Sequence, residues 1–295
     1  MKSTRVKARA KINLSLDVIG KRHDGYHDIR TIMQEVELCD MVSISIAERS
    51  IEGSNDIVVE CNCGKVPAGR ENIAYKAAEL FIKRYNINRG VKIAIEKNIP
   101  VAAGLAGGST DAAAVLRGLN RLFGCRADEQ ELLDIGREIG ADVPFCIRGG
   151  TALVEGIGDV LTELEPLPRT EVLIVIPCIE VSTRWVYENL DAGRINKRPD
   201  IEMLLEFVKD GRIDLLARNM ANVLESVTAE KYPVVNVIKD KLKSCGALGS
   251  IMSGSGPSVL GIFPENHPAE EACKECIKEG WNAIITYTSG KNILC

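Results

Sequence analysis

The stretch Pro100-Val101-Ala102-Ala103-Gly104-Leu105-Ala106-Gly107-Gly108-Ser109-Thr110-Asp111 constrains the fold more than any other. An alternating apolar segment, Val91 to Ile95, precedes it, and Ala112, Val115, Leu119, Leu122 and Phe123 follow it at helical spacing. Gly124 stands where a helix stops. Strand, small-residue loop and helix in that order aim free N–H groups and the positive end of a helix dipole at one point, which suits a phosphate. Ser109 and Thr110 are N-cap residue types and can also offer hydroxyls to a phosphate or its metal. Two familiar phosphate motifs are excluded. No Gly-Lys pair is followed by Ser or Thr, and Gly104, Gly107 and Gly108 do not fit Gly-x-Gly-x-x-Gly. A tight turn between a strand and a closely packed helix would use the same glycines, so the loop alone leaves both readings open.

The rest of the chain narrows them. Its 295 residues suffice for one large or two ordinary domains, and 45% hydrophobic with 26% charged residues is enough for a sizeable core. A net charge of −4 gives no global basic field, so nucleic acid is not an expected partner. No run of eighteen apolar residues is present, and Met1-Lys2-Ser3-Thr4-Arg5 is not followed by a long apolar region. Neither a membrane span nor a secretory signal is expected, and the expected location is the cytoplasm. The ten cysteines include Cys61-x-Cys63 and Cys273-x-x-Cys276. The first pair is too close for the usual zinc knuckle, the second lies at one-turn spacing in a helical stretch, and the three histidines cluster with neither. Reduced, partly buried thiols are the expectation.

In chain order, Lys2 to Leu16 alternates, with Lys7, Arg9, Lys11, Asn13 and Ser15 on the polar side of a strand with one buried face. Lys11 and Asn13 share that face, so they either converge on one site or line a solvated surface. A polar turn, Gly20 to His27, leads to strands at Ile29–Cys39, Met41–Ile46 and Ile57–Cys61. A helix from Ile73 to Tyr85, opened by Glu71-Asn72, comes next. After the glycine-rich loop and its helix comes another helix, Asp128 to Ile139, ending at Gly140. Asp142 stands just beyond it, as a turn residue or as a functional group on a rigid junction. The segment from Glu163 to Pro168 reads as a boundary. Beyond it are strands at Val172–Ile176, Ala247–Ile251, Ser258–Phe263 and Ala283–Thr288. The helices are one capped by Ser182-Thr183 and others at Ile201–Val208, Asp214–Met220, Tyr232–Ser244 and Ala269–Lys278. A second glycine-rich loop, Ser253-Gly254-Ser255-Gly256-Pro257, lies between two of these strands. The pattern is α+β.

Three segments together resemble the GHMP superfamily of small-molecule kinases: Lys11-Ile12-Asn13-Leu14, Pro100 to Ala113, and Gly249 to Gly261. Within it, Gly20-x-x-x-x-Gly25-Tyr26-His27 and Gly140-Ala141-Asp142-Val143-Pro144 are similar to a branch acting on CDP-linked sugar alcohols. The resemblance runs in order through nearly the whole chain. It implies two domains with the site between them: an N-terminal ATP-binding domain at 1–163, like ribosomal protein S5 domain 2, and a ferredoxin-like α/β domain at 164–295. It implies ATP-dependent phosphorylation of a hydroxyl, with Lys11 and Asp142 as the catalytic pair. Asp142 would be the base, and Lys11 the partner that holds it ionised and balances charge. Asn13 would fix that geometry, Tyr26 and Tyr187 would stack on cytosine, His27 would read its edge, and Thr183 would lie on the substrate side. Pro100, Val101, Ala102, Ala103, Gly104, Leu105, Ala106, Gly107, Gly108, Ser109 and Thr110 would grip the triphosphate. Asn72 and Ile73 would border adenine. Mg²⁺ would be held chiefly by phosphates, with Ser109 as its protein contact. The competing expectations are a homoserine or mevalonate-type kinase, a diphosphomevalonate decarboxylase, or a non-catalytic nucleotide-binding regulator on the same scaffold. The sequence does not fix an oligomeric state.

Overall fold

The computed structural model describes residues 2–47, 57–195 and 197–290. Two long strands come first, β1 (Ser3–Lys21) and β2 (His27–Ile46), paired antiparallel around a short turn. The sequence suggested a break in β2 at Asp40, but the strand runs through. Asp40 is fully buried, and its carboxylate accepts from the backbone N–H groups of Asn98 and Ile99 and from Lys97, so a polar residue is satisfied there without a turn. After them come β3 (Ile57–Cys61), α1 (Ile73–Arg84), β4 (Val91–Glu96), α2 (Gly107–Phe123), α3 (Glu129–Ile139), α4 (Val143–Arg148), β5 (Thr151–Gly156) and β6 (Val160–Glu163). β2 carries β1 along one edge. Its other edge is divided, with Met41–Ile46 on β4 and Ile29–Gln34 on β5. β3 extends the sheet parallel to β4, and β6 extends it antiparallel to β5. α1 to α4 share a core with this sheet, built on Phe81, Ile93, Leu116, Leu119, Leu133 and Phe145. The periodicity of α1 holds, since Ala74, Ala77, Ala78, Phe81 and Ile82 are its buried face. A capping box between Asp128 and Glu131 starts α3.

The second unit holds β7 (Glu171–Ile176), α5 (Thr183–Glu188), α6 (Ile201–Lys209), α7 (Ile213–Asn219), α8 (Glu225–Lys231), α9 (Val234–Ser244), β8 (Gly249–Met252), β9 (Val259–Phe263), α10 (Glu270–Lys278) and β10 (Asn282–Tyr287). Its sheet runs β10-β7-β9-β8, antiparallel throughout. That is the ferredoxin-like order with extra helices in the first crossover. The α+β reading holds. β6 and α8 were not read from the sequence, because both are short and their apolar residues too few to set a period.

The expectation that β1 has one buried face needs correction. From Ala10 to Val18 every residue is buried, Lys11, Asn13, Ser15 and Asp17 included. Ala10, Ile12 and Leu14 pack with Val172, Ile174, Leu204 and Ile251 of the second unit, while Leu16 and Val18 join Leu173, Val175 and Val186. Leu16 also exchanges backbone hydrogen bonds with Ala221 (3.0 Å) and Val223 (2.9 Å). Bulges between Arg9 and Lys11, Asn13 and Ser15, and Val18 and Gly20 turn the strand as it passes between the two sheets. On β2, Leu38 N–H donates to Thr286 Oγ1 (2.8 Å), and Gln34 Nε2 donates to Ser289 O (2.8 Å). An apolar, continuous seam of this kind opposes relative motion of the two halves.

β8 owes its place to Gly249, where an added Cβ would fall 1.9 Å from the backbone oxygen of Ala217 in α7. Replacing Gly249 with Ala should cost at least about 2 kcal/mol, since a backbone neighbour cannot rotate away. Urea titration of the two proteins measures it; equal midpoints would show that α7 does not bear on β8 as described.

Candidate active site

A cleft of about 1060 Å³ opens along the seam, lined from both halves. Its floor is the glycine-rich loop. The loop enters α2 through Ala106, whose left-handed backbone (φ 55) places it as N-cap. The helix therefore starts at Gly107, and Ser109 and Thr110 are not caps as expected but lie inside the first turn. The reason is that two glycines and an αL residue complete the turn before a side-chain cap is needed. The N–H of Thr110 already donates to Ala106 O (2.9 Å), which leaves the N–H groups of Gly107, Gly108 and Ser109 without an intrahelical partner. Ala102, Ala103, Gly104, Ala106, Gly107, Gly108 and Ser109 line the cleft, and Ile73 borders it. Pro100, Val101, Leu105, Thr110 and Asn72 are not part of its wall. Leu105 is core, with its carbonyl accepting from Lys11 N–H (3.2 Å), and Thr110 is buried. Asn72 caps α1, accepting from Ala74 N–H (2.9 Å) and donating to Pro67 O (2.7 Å).

The second glycine-rich loop closes over the first. Gly104 has φ +76, and a Cβ there would meet Ser253 O at 2.5 Å and Gly256 O at 3.0 Å, so only glycine permits this contact. Ser253 Oγ donates to Gly104 O (3.0 Å), and Asn222 Nδ2 donates to Met252 O and Gly254 O (2.8 Å each). Gly254 and Ser255 thus enter the cleft wall. Neither was picked out individually in the sequence, since a Ser-Gly-Ser-Gly turn has no signal of its own.

Lys11 and Asp142 meet beside these loops. Lys11 is 5% exposed, and its Nζ donates to Asn13 Oδ1 (2.8 Å) and lies 3.8 Å from Asp142 Oδ1. Asn13 Nδ2 in turn donates to Thr31 Oγ1 (2.9 Å), which donates to Ser15 O, so the amide is oriented by its neighbours. Asp142 stands at the start of α4 without capping it, and its half-buried carboxylate faces the cleft. A cation and a carboxylate within 4 Å, next to three free N–H groups, can accept a proton and stabilise negative charge at adjacent points.

The far end of the cleft is aromatic. The His27 and Tyr187 rings lie 5.1 Å apart at 36°, and Tyr26 stands on the rim, 60% exposed. Burial, and then the Lys21 cation, lower the His27 pKa, so its ring is neutral at pH 7, with one N–H donor and one acceptor. Burial, and then Asp142, raise that of Tyr187, which keeps its hydroxyl protonated. Thr183 is exposed, and its Oγ1 shares a hydrogen bond with Ser255 Oγ (2.8 Å), joining α5 to the second loop. No group of three or more His, Cys, Asp or Glu side chains that could hold a metal ion occurs among the described residues, and the nine described cysteines are free.

One buried charge cluster lies just behind the first loop. Lys97 Nζ binds Asp40 and Asp111 (2.8 Å to the latter), and a Cβ on Gly107 would fall 3.0 Å from that ammonium. Lys97 carries no sequence signal, because a lysine at a strand end normally reads as solvated. Asp40 accepts from two backbone N–H donors, those of Asn98 and Ile99, besides Lys97. Asp111 accepts from Lys97, its Oδ1 has no partner among the described residues, and burial, with the neighbouring Asp40 carboxylate, pushes its carboxyl up to about 7.

Known proteins can be set beside this geometry. The family model described as the GHMP kinases N terminal domain matches residues 72–150, and that of the GHMP kinases C terminal matches 204–283. The 4-diphosphocytidyl-2-C-methyl-D-erythritol kinase of Acetivibrio thermocellus is 54% identical over 98% of this chain and 100% of its own. That of Caldicellulosiruptor saccharolyticus is 50% identical, covering 97% of each chain. A solved 4-(cytidine 5'-diphospho)-2C-methyl-D-erythritol kinase superposes with a TM-score of 0.81 at 31% identity, over 97% of this chain and 100% of its own. A homoserine kinase from Cytophaga hutchinsonii superposes with a TM-score of 0.76 at 20% identity, over 99% of this chain and 96% of its own, a likeness of fold alone.

The Asp111 cluster predicts a pH dependence of stability. Its folded pKa, about 7, lies above the unfolded 3.8, so the folded state binds the extra proton between those values. The contribution is complete below about pH 4 and is lost as pH rises towards 7. Relative to Asp111→Asn, the wild type should lose stability across this window with a slope approaching ~1.4 kcal/mol per pH unit. Parallel pH–denaturation curves for the two proteins would refute the assignment.

Proposed function

The chain belongs to the GHMP kinases, and among them to the 4-diphosphocytidyl-2-C-methyl-D-erythritol kinases, so it is an ATP-dependent small-molecule kinase. On that footing we propose that it transfers the γ-phosphoryl group of ATP to the 2-hydroxyl of 4-diphosphocytidyl-2-C-methyl-D-erythritol, a step towards isoprenoid precursors by the non-mevalonate route. The observation that carries this reading is the meeting of Lys11 and Asp142 at 3.8 Å, with the free N–H groups of Gly107, Gly108 and Ser109 and the His27–Tyr187 pair in one cleft.

In this reading the N–H groups at the start of α2 bind the triphosphate, and the positive helix end favours its charge. The substrate hydroxyl lies against Asp142. Its oxygen forms the new bond to the γ-phosphorus as the bond to the β-phosphate oxygen breaks, and its proton passes to the Asp142 carboxylate. Lys11, held by Asn13, offers positive charge to the equatorial oxygens that gather charge. Mg²⁺ would supply neutralisation of the triphosphate. A site without a protein cage suits an ion held by phosphates and water, with Ser109 Oγ on the loop side and Asp142 as the nearby carboxylate. Cytosine stacks on Tyr187 beneath Tyr26, and the neutral His27 ring gives its edge a donor or an acceptor. Thr183 serves the substrate side through its bond to Ser255. Pro100, Val101, Leu105 and Thr110 act by shaping the phosphate loop, and Asn72 by fixing Ile73 at the adenine end. The division into an ATP-side domain at 1–163 and a substrate-side domain at 164–295 is supported by the sheet change between Glu163 and Glu171.

The test is turnover of the CDP-linked substrate with ATP. Asp142→Asn should reduce kcat by about 10³-fold or more, roughly 4 kcal/mol of barrier, with unchanged unfolding. Free CDP should compete with the substrate. Near-normal turnover by the variant removes Asp142 as base, and failure of CDP to compete favours a homoserine or mevalonate-type acceptor.

A further inference from the structure

The proposed transfer needs Lys11 and Asp142 side by side, yet they belong to different elements, β1 and the start of α4. Arg117, in the middle of α2, is bonded to both elements. Its Nη1 donates to the carbonyl oxygens of Cys146 and Ile147 (3.3 Å each) in the last turn of α4, and its Nη2 donates to Lys7 O of β1 (3.1 Å). Each anchor is four or five residues from the group that matters: Lys7 from Lys11 along the strand, Cys146 and Ile147 from Asp142 along the helix.

Core packing alone does not account for an arginine here. The residue is 9% exposed, between Leu116 and Leu119, its Nε has no partner among the described residues, and the buried Glu35 carboxylate is near enough for its charge to act on the guanidinium. A buried guanidinium is costly, and an apolar side chain of similar size would commonly stabilise the fold as well or better. A positive charge near Glu35 could come from a lysine as well; what the guanidinium adds is a rigid planar fork that satisfies two elements at once. α4 has only six residues, so its orientation depends heavily on what holds its ends. The gap it sets is a loose 3.8 Å, and an ångström more would take the two groups out of direct contact while weakening their attraction only modestly.

We infer that Arg117 is a positioning residue: by tying the last turn of α4 to β1 it sets the separation of Lys11 and Asp142, and so the rate of transfer rather than the binding of either substrate. The inference rests on the functional reading above.

Four variants test it: Arg117→Met, Arg117→Lys, Asp142→Asn and the Arg117→Met/Asp142→Asn pair, with kcat expressed per folded molecule. Arg117→Met should lower kcat by about 100-fold with both KM values nearly unchanged, the loss that an ångström of misplacement brings. Arg117→Lys keeps the charge but not the fork and should lie between, about 10-fold down; it carries the test if the methionine variant does not fold. In the pair, Arg117→Met should bring no further loss beyond Asp142→Asn, because both changes disable one unit. The inference is overturned if kcat per folded molecule is unchanged in Arg117→Met (or in Arg117→Lys, where the former does not fold), if the losses multiply in the pair, or if raised KM values account for the loss. Normal turnover by Asp142→Asn would instead overturn the functional reading, and this inference with it.

Discussion

Between Ala10 and Val18 a single strand is buried on both sides, and the two halves of the protein are built on it. Its apolar residues complete the core of the ferredoxin-like unit. Two of its polar ones, Lys11 and Asn13, line the cleft between the halves. A strand buried on both faces normally reads as a continuous apolar run. This one alternates instead, and the polar residues it buries must be satisfied locally. Asn13, Thr31 and Ser15 do this as a chain of hydrogen bonds that ends on a backbone carbonyl. The cost of burying that chain is offset by a lysine that cannot wander.

The two glycine-rich loops form the second half of the same arrangement. Lys11 N–H donates to Leu105 O, and Ser253 Oγ to Gly104 O, so the first loop is tied to β1 through backbone and to the second loop through a hydroxyl. Side chains would hold such loops apart, which is why small residues recur on both sides of the contact. The direction of the α2 axis follows from this, and with it the point towards which its free N–H groups aim.

How much of this was legible in the sequence depends on the range of the interaction. The phosphate loop, the inner face of α1 and the caps of α1, α3 and α5 follow from neighbours a few residues away, and they stand where the sequence put them. The start of α2 was misread because Ala106 adopts a left-handed backbone that no propensity announces. The double burial of β1 and the unbroken β2 depend on partners far along the chain, and Asp40 reads as a turn only until Lys97 and the backbone N–H groups of Asn98 and Ile99 are placed beside it. Lys11 and Asp142 became a pair through resemblance. Nothing local distinguishes either from a solvated lysine or a turn aspartate.

Lys11 and Lys97 make the distinction physical. Both ammonium groups are buried next to the same loop. Lys97 binds two carboxylates at close range and is blocked by Gly107 above it, so its charge is spent within the protein. Among the described residues Lys11, which lines the cleft, holds one amide oxygen at 2.8 Å and a carboxylate only at 3.8 Å, fewer close partners than its three donors can take. A cation whose internal partners are too few is stabilised further by any anion that enters. Burial without full pairing, in one lysine out of the two, is what makes this end of the cleft attract charge as it develops.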